Sequence, residues 1–160
     1  PLEDQVTALH AAAEQTGALD LTRVGIRGWS YGGLLAAAAV LLRPDDFHAA
    51  VAGAAPADQR LYDTHWRERF LGHPDDNPEV YDRLSLMTYA ADLRRPLLLV
   101  HGVADDNVFV AHTLRLSAAL TAAGRPHQVL PLSNVTHMAD NAAGVGLMRS
   151  ELAFLSNHLL

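Results

Sequence analysis

The chain contains no cysteine and no lysine. Without cysteine it can form no disulfide, no thiolate metal site and no cysteine nucleophile. Without lysine, all side-chain positive charge other than that of histidine rests on arginine. Together with the abundant alanine this points to a GC-biased genome and says nothing about chemistry. Positive charge is also scarce overall, at 12 basic against 18 acidic residues and a net charge of −6. No basic run or patch is visible, which argues against a nucleic-acid partner. Long apolar runs are missing as well. The longest, Leu34 to Leu42, falls far short of the roughly 20 residues needed to cross a bilayer and reads as a buried helix. No signal peptide is visible, but the chain begins at Pro1 with no initiator Met, so that absence carries no weight. The compartment stays open, with the lack of cysteine leaning towards the cytoplasm. No H-E-x-x-H or comparable ligand spacing occurs, so His65, His73, His101, His112 and His127 read as structural or exposed. No metal and no cofactor is expected.

What is present fits one globular domain. Hydrophobic residues make up 49% and charged residues 19% of the 160 positions, enough to build a core and too apolar for general disorder. Helix and strand signals alternate. Leu2 to Thr16 reads as an amphipathic helix stopped by Gly17. Thr22 to Arg27 reads as a short strand and Leu34 to Leu42 as the helix after it. Ala49 to Gly53 is a buried-strand candidate, followed by a loop over Ala54 to Gln59. Leu61 to Leu71 looks helical, and Glu79 to Ala91 reads as short helical pieces. Pro96 to Gly102 is the clearest strand. Val110 to Ala123 reads as a helix and His127 to Leu132 as a strand, with Pro131 marking an end or an edge. Asn141 to Leu160 closes the chain as a helix. This alternation predicts an α/β fold, a mostly parallel sheet with helices on both faces.

Between the first strand and its helix stands Gly28-Trp29-Ser30-Tyr31-Gly32, a G-x-S-x-G string followed by Gly33. A strand turning sharply into a helix at a serine forces that serine into strained backbone angles, and flanking glycines let neighbouring backbones approach. The hydroxyl is then presented above the sheet beside free N–H groups of a helix N-terminus. A serine hydroxyl is a poor nucleophile unless a base takes its proton. In parallel sheets binding groups gather beyond the carboxyl ends of the strands. The loop after Val100 carries Asp105 and Asp106, and the loop after Leu132 carries His137. The chain order Ser, Asp, His is that of an α/β-hydrolase. His137 would be the base, a carboxylate would orient its ring, and the Tyr31 N–H would be the first oxyanion donor. Spacing alone does not choose between Asp105 and Asp106. Blander readings compete throughout: the Asp-Asp-Asn cluster as a turn, His137 as a surface histidine, Tyr62 and Trp66 as helix residues spaced for a core.

Gly28-Trp29-Ser30-Tyr31-Gly32-Gly33, Tyr62-Asp63 with Glu68-Arg69-Phe70-Leu71-Gly72, and His101-Gly102-Val103-Ala104-Asp105-Asp106-Asn107-Val108 together resemble the catalytic domain of the prolyl oligopeptidase family. The branch most resembled is that of dipeptidyl-peptidase IV. The resemblance covers almost the whole chain. It implies a serine peptidase with Ser30 as nucleophile, Asp105 as the triad acid and His137 as base. It also implies a pocket for a proline-sized side chain lined by Tyr31, Tyr62, Trp66 and Val108, with Asn107 hydrogen-bonded to a substrate carbonyl. Some positions depart from the pattern. Trp66 stands where the branch has a tyrosine, Gln59 replaces a pocket aromatic, and Met138 follows His137 where many relatives have glycine. The N-terminal β-propeller, the early strands of the hydrolase domain and the tyrosine that supplies a second oxyanion donor have no counterpart here.

Residues 1–160 are therefore expected to form a single hydrolase domain that is the C-terminal portion of a larger protein, with a β-propeller upstream. Alone it is expected to be weakly active or inactive. The expected partner is a peptide substrate, with a homo-oligomer also open. An esterase or lipase on the same fold, or a non-catalytic binding domain, remain the alternatives.

Overall fold

Strands β2 (Ala49–Gly53) and β3 (Leu97–Gly102) are buried along their whole length. They are almost uniformly apolar because both sheet faces are covered, as parallel crossovers require. The computed structural model describes residues 1–139 and 141–160, with side chains over 1–139 and 144–160. β1 (Gly25–Trp29) and β4 (Gln128–Leu132) complete a four-stranded sheet in the order β1-β2-β3-β4, every pair parallel. The register sets Trp29 beside Gly53, Gly53 beside Val100 and Val100 beside Leu130.

Alternate residues feed two cores. Ala50, Ala52, Leu97 and Leu99 pack with helices α1 (Leu2–Thr16), α2 (Tyr31–Leu42) and α5 (Ala111–Ala122) and with a 3-10 segment over Leu86–Asp92. Ala49, Val51, Leu98 and Val100 pack with Leu147 and Phe154 on the closing helix, Asn141–Leu159. α2 buries Ala36 to Leu41 without a polar face, because it lies between the sheet and the 3-10 segment. The closing helix is also fastened to β1 by Arg27, whose Nε donates to the buried carboxylate of Glu151 at 2.6 Å. Between β2 and β3 run a 3-10 turn (Gln59–Leu61), α3 (Thr64–Leu71) and α4 (Pro78–Leu84). The closing helix is α6. Among the described residues no helix is long and apolar enough to cross a membrane.

Several boundaries differ from expectation. β1 runs from Gly25 to Trp29 and not from Thr22 to Arg27. Thr22 and Arg23 turn instead on Asp20, whose carboxylate accepts from the Thr22 N–H at 2.9 Å and from Arg23 Nε at 2.7 Å. α2 starts at Tyr31, earlier than Leu34, so the glycine pair lies inside its first turn. The stretch expected as one helix from Leu61 to Leu71 is broken, because the Asp63 side chain caps α3 by accepting from the His65 N–H at 2.9 Å. Pro131 lies on the edge strand β4, where a missing N–H costs little.

Candidate active site

All four strands end on the same rim. Ser30 follows β1, the Pro56 to Arg67 region follows β2, Asp105 follows β3 and His137 follows β4. Ser30 has φ 57° and ψ −120°, a left-handed conformation that non-glycine residues rarely adopt. Such a residue costs about 1–3 kcal/mol and persists only where its surroundings hold it. Here the Ser30 N–H donates to the Gly53 carbonyl at 2.8 Å, and its carbonyl accepts from the Leu34 N–H at 3.0 Å. Gly28 permits the turn. A Cβ at that position would stand 2.0 Å from the Gly32 carbonyl oxygen. Gly32 itself faces open space, so it does not play the close-approach role expected of both glycines.

His137 bridges the other two side chains. Its Nδ1 lies 2.8 Å from Asp105 Oδ2 and its Nε2 lies 3.1 Å from Ser30 Oγ. A carboxylate only accepts, so Nδ1 carries the proton and Nε2 is left to accept from the serine hydroxyl. The histidine loop is held from two sides. The Trp29 indole N–H donates to the His137 carbonyl at 2.7 Å. The Ala104 N–H donates to the Val135 carbonyl at 3.1 Å, joining this loop to the one that carries Asp105. Gly102 makes that crossing possible, since a Cβ there would meet the Val135 and Thr136 carbonyl oxygens at 2.4 Å each.

Asp105 is almost fully buried, and Asp106 is exposed. The other oxygen of Asp105 accepts from the backbone N–H groups of Asn107 at 3.0 Å and Val108 at 2.9 Å. This fixes the carboxylate in one orientation towards His137. Behind it lies His101, a residue that sequence reasoning passed over as structural or exposed. Its Nε2 donates to the Val108 carbonyl at 2.7 Å and lies 3.4 Å from Asp105 Oδ2. Its Nδ1 accepts from the Thr113 hydroxyl at 2.7 Å. Burial pushes the His101 imidazole below its ordinary value, so it stays neutral and acts as a dipole beside the carboxylate. Its position at the end of an apolar strand, immediately before the Gly-x-x-Asp loop, was the available signal.

A cavity of about 340 Å³ opens beside the serine, lined by Ser30, Tyr31, Pro56, Tyr62, Trp66 and Arg67. Tyr31, Tyr62 and Trp66 therefore stand where a pocket wall was expected. Val108 does not. It is fully buried, and its backbone N–H and carbonyl pair with Asp105 and His101. Asn107 is also not on the cavity wall, but it touches the wall through Oδ1, which accepts from the Tyr62 hydroxyl at 3.2 Å. Trp66 is half-exposed and stacks edge-on against Phe70, with ring centroids 5.1 Å apart, so it does not belong to the core. The Tyr31 N–H is the first of helix α2 and has no acceptor within the helix. Arg67 was not singled out from the sequence. Among the described residues no cluster of three His, Asp or Glu could hold a metal ion.

The fold and much of the sequence recur in known proteins. The prolyl oligopeptidase family profile matches residues 1–160. Mouse dipeptidyl peptidase 8 is 43% identical over 131 residues, covering 80% of this chain and 15% of that protein. Human prolyl endopeptidase FAP is 35% identical over 139 residues, covering 85% of this chain and 18% of that protein. The crystal structure of dipeptidyl peptidase 4 from Porphyromonas gingivalis superposes with a TM-score of 0.90 at 33% identity, over 99% of this chain and 22% of that one. This chain thus spans less than a quarter of each relative. Its parallel sheet with helices on both faces is the α/β-hydrolase arrangement of that structure. The chain belongs to the prolyl oligopeptidase family.

Proposed function

We propose that this chain carries the catalytic centre of a serine peptidase, with Ser30 as nucleophile, His137 as general base and Asp105 as the orienting carboxylate. The observation that carries the reading is the imidazole of His137 standing 3.1 Å from Ser30 Oγ and 2.8 Å from Asp105 Oδ2. Ser30 Oγ attacks the carbonyl carbon of the scissile peptide bond as His137 Nε2 takes its proton. The negative charge on the tetrahedral oxygen falls to the Tyr31 N–H, and a donor of this kind lowers the barrier by about 3–4 kcal/mol. His137 then gives its proton to the departing amine, leaving an acyl group on Ser30. Water, deprotonated by the same ring, releases the acid.

The cavity fits the residue on the acyl side. Tyr31, Tyr62 and Trp66 offer flat apolar walls suited to a compact side chain such as proline or alanine. With Asn107 Oδ1 engaged by Tyr62, the amide N–H groups of Asn107 are left to donate to a substrate carbonyl. The relatives are several times longer, so the working enzyme is a larger protein in which this chain is the C-terminal portion. Its upstream part supplies the β-propeller and the second oxyanion donor. The isolated chain is then weakly active or inactive.

The test is turnover by the full-length protein. It should release p-nitroaniline from an aminoacyl-prolyl p-nitroanilide, and Ser30→Ala should abolish that release. Hydrolysis of esters with no action on any amide would overturn the peptidase assignment.

A further inference from the structure

Arg67 projects from α3 onto the wall of the cavity that holds Ser30. Its guanidinium carbon lies 4.9 Å from the centroid of the Tyr62 ring, which also lines that cavity. Its Nε is buried and has no hydrogen-bond acceptor among the described residues. Among the described residues Arg67 holds no carboxylate, unlike Arg23, Arg27, Arg43 and Arg60, and of the arginines without one it is Arg67 that lines the cavity beside Ser30. Asp63 caps α3, and Asp105 is taken up by His137 and two backbone N–H groups. A cation with an unsatisfied buried donor on a pocket wall calls for an acceptor that arrives with the ligand.

We infer that Arg67 is a specificity-determining residue that binds a carboxylate of the substrate in the cavity beside Ser30. This rests on the peptidase reading above. A carboxylate matches guanidinium in charge and in its forked geometry, and a neutral amide of the same shape matches only in part. The aromatic walls complement it, since methylene groups can lie against Tyr62 and Trp66 while the charged end reaches Arg67. The carboxylate has two sources: an acidic side chain that the cavity admits, besides proline or alanine, on the residue whose carbonyl is attacked, or the free C-terminus of a short peptide on the leaving side, reaching the cavity rim.

Isosteric pairs separate these in the full-length protein. One arm compares p-nitroanilides of dipeptides ending in Glu and in Gln. The other compares a short peptide acid with its C-terminal amide. Wild-type protein should favour the charged member of one pair by about tenfold in kcat/KM. Arg67→Gln should bring that ratio to one or below, and Arg67→Lys should leave it in between. The arm that responds identifies the source. Peptide turnover with ratios unchanged by Arg67→Gln in both arms would overturn this inference alone. Absence of turnover on every peptide would overturn the peptidase reading and this inference together.

Discussion

His101 does not line the cavity, yet it is placed to brace the candidate centre from behind. It is fully buried, and it ties the Val108 carbonyl and the Thr113 hydroxyl to the back of the Asp105 loop. His101→Ala strands both groups, at about 1–3 kcal/mol for each group left unpaired. The expected outcome is a lowered unfolding midpoint together with reduced activity, read by thermal melts and steady-state kinetics on the same variant. At the centre itself, Asp105→Asn is expected to lower kcat by about 10⁴-fold and His137→Ala by about 10⁶-fold, read by steady-state kinetics. Asp106→Asn should do little, because that side chain is exposed. His112 gives a pH prediction. Burial is the main cause that holds its pKa down at about 4. In the unfolded chain the same ring titrates near 6.5. Between those values the unfolded state binds a proton that the native state refuses, so stability is complete above about pH 6.5 and falls as the pH drops towards 4. The loss is about 3 kcal/mol. Urea midpoints at pH 7 and pH 5 should register about 2 kcal/mol of it, and His112→Gln should flatten the decline. The convergence of Ser30, Asp105 and His137 was legible because hydrolase chemistry calls for those residue types in that chain order. Val108 was misplaced in the pocket because sequence does not say whether a residue beside a functional one turns its side chain or its backbone to the task. Arg67 was missed because nothing in its neighbours marks which face of α3 it occupies.

At the level of elements, the sharp turn from β1 into α2 is the feature on which the serine depends. The two glycines of its motif make opposite predictions. Gly28→Ala would drive a Cβ to within 2.0 Å of the Gly32 carbonyl oxygen, where backbone must move. It should displace Ser30, abolish activity and destabilise the protein by more than the 0.5–3 kcal/mol of an ordinary substitution, about 4 kcal/mol or more. Gly32→Ala meets open space in a helix, so the thermal midpoint should hold or rise slightly, since alanine is favoured over glycine in helices by about 1 kcal/mol. Thermal melts of the two variants side by side check the contrast. Strands β2 and β3 were readable from sequence because burial on both faces removes every polar residue but His101. β1 was placed too early because Thr22 and Arg23 have strand-like neighbours, while their own polar groups are captured by Asp20. The helix expected at Leu61 was split because a side-chain cap at Asp63 competes with the apolar periodicity around it.

For the whole molecule, three loops from three strands meet on one rim, and the sheet order explains why. β1, β3 and β4 deliver Ser30, Asp105 and His137, while β2 between them delivers the cavity wall. The parallel direction of all four strands puts every contributing loop at the same end, which is why the α/β alternation read from sequence also located the site. The central claim is that Ser30 is an activated nucleophile. The direct measurement is mass-spectrometric mapping of a fluorophosphonate adduct on the full-length protein, wild type beside His137→Ala. The expected result is an adduct on Ser30 that forms rapidly in the wild type and is lost or greatly slowed without the imidazole. No adduct on Ser30, or one that forms equally fast in His137→Ala, would contradict it.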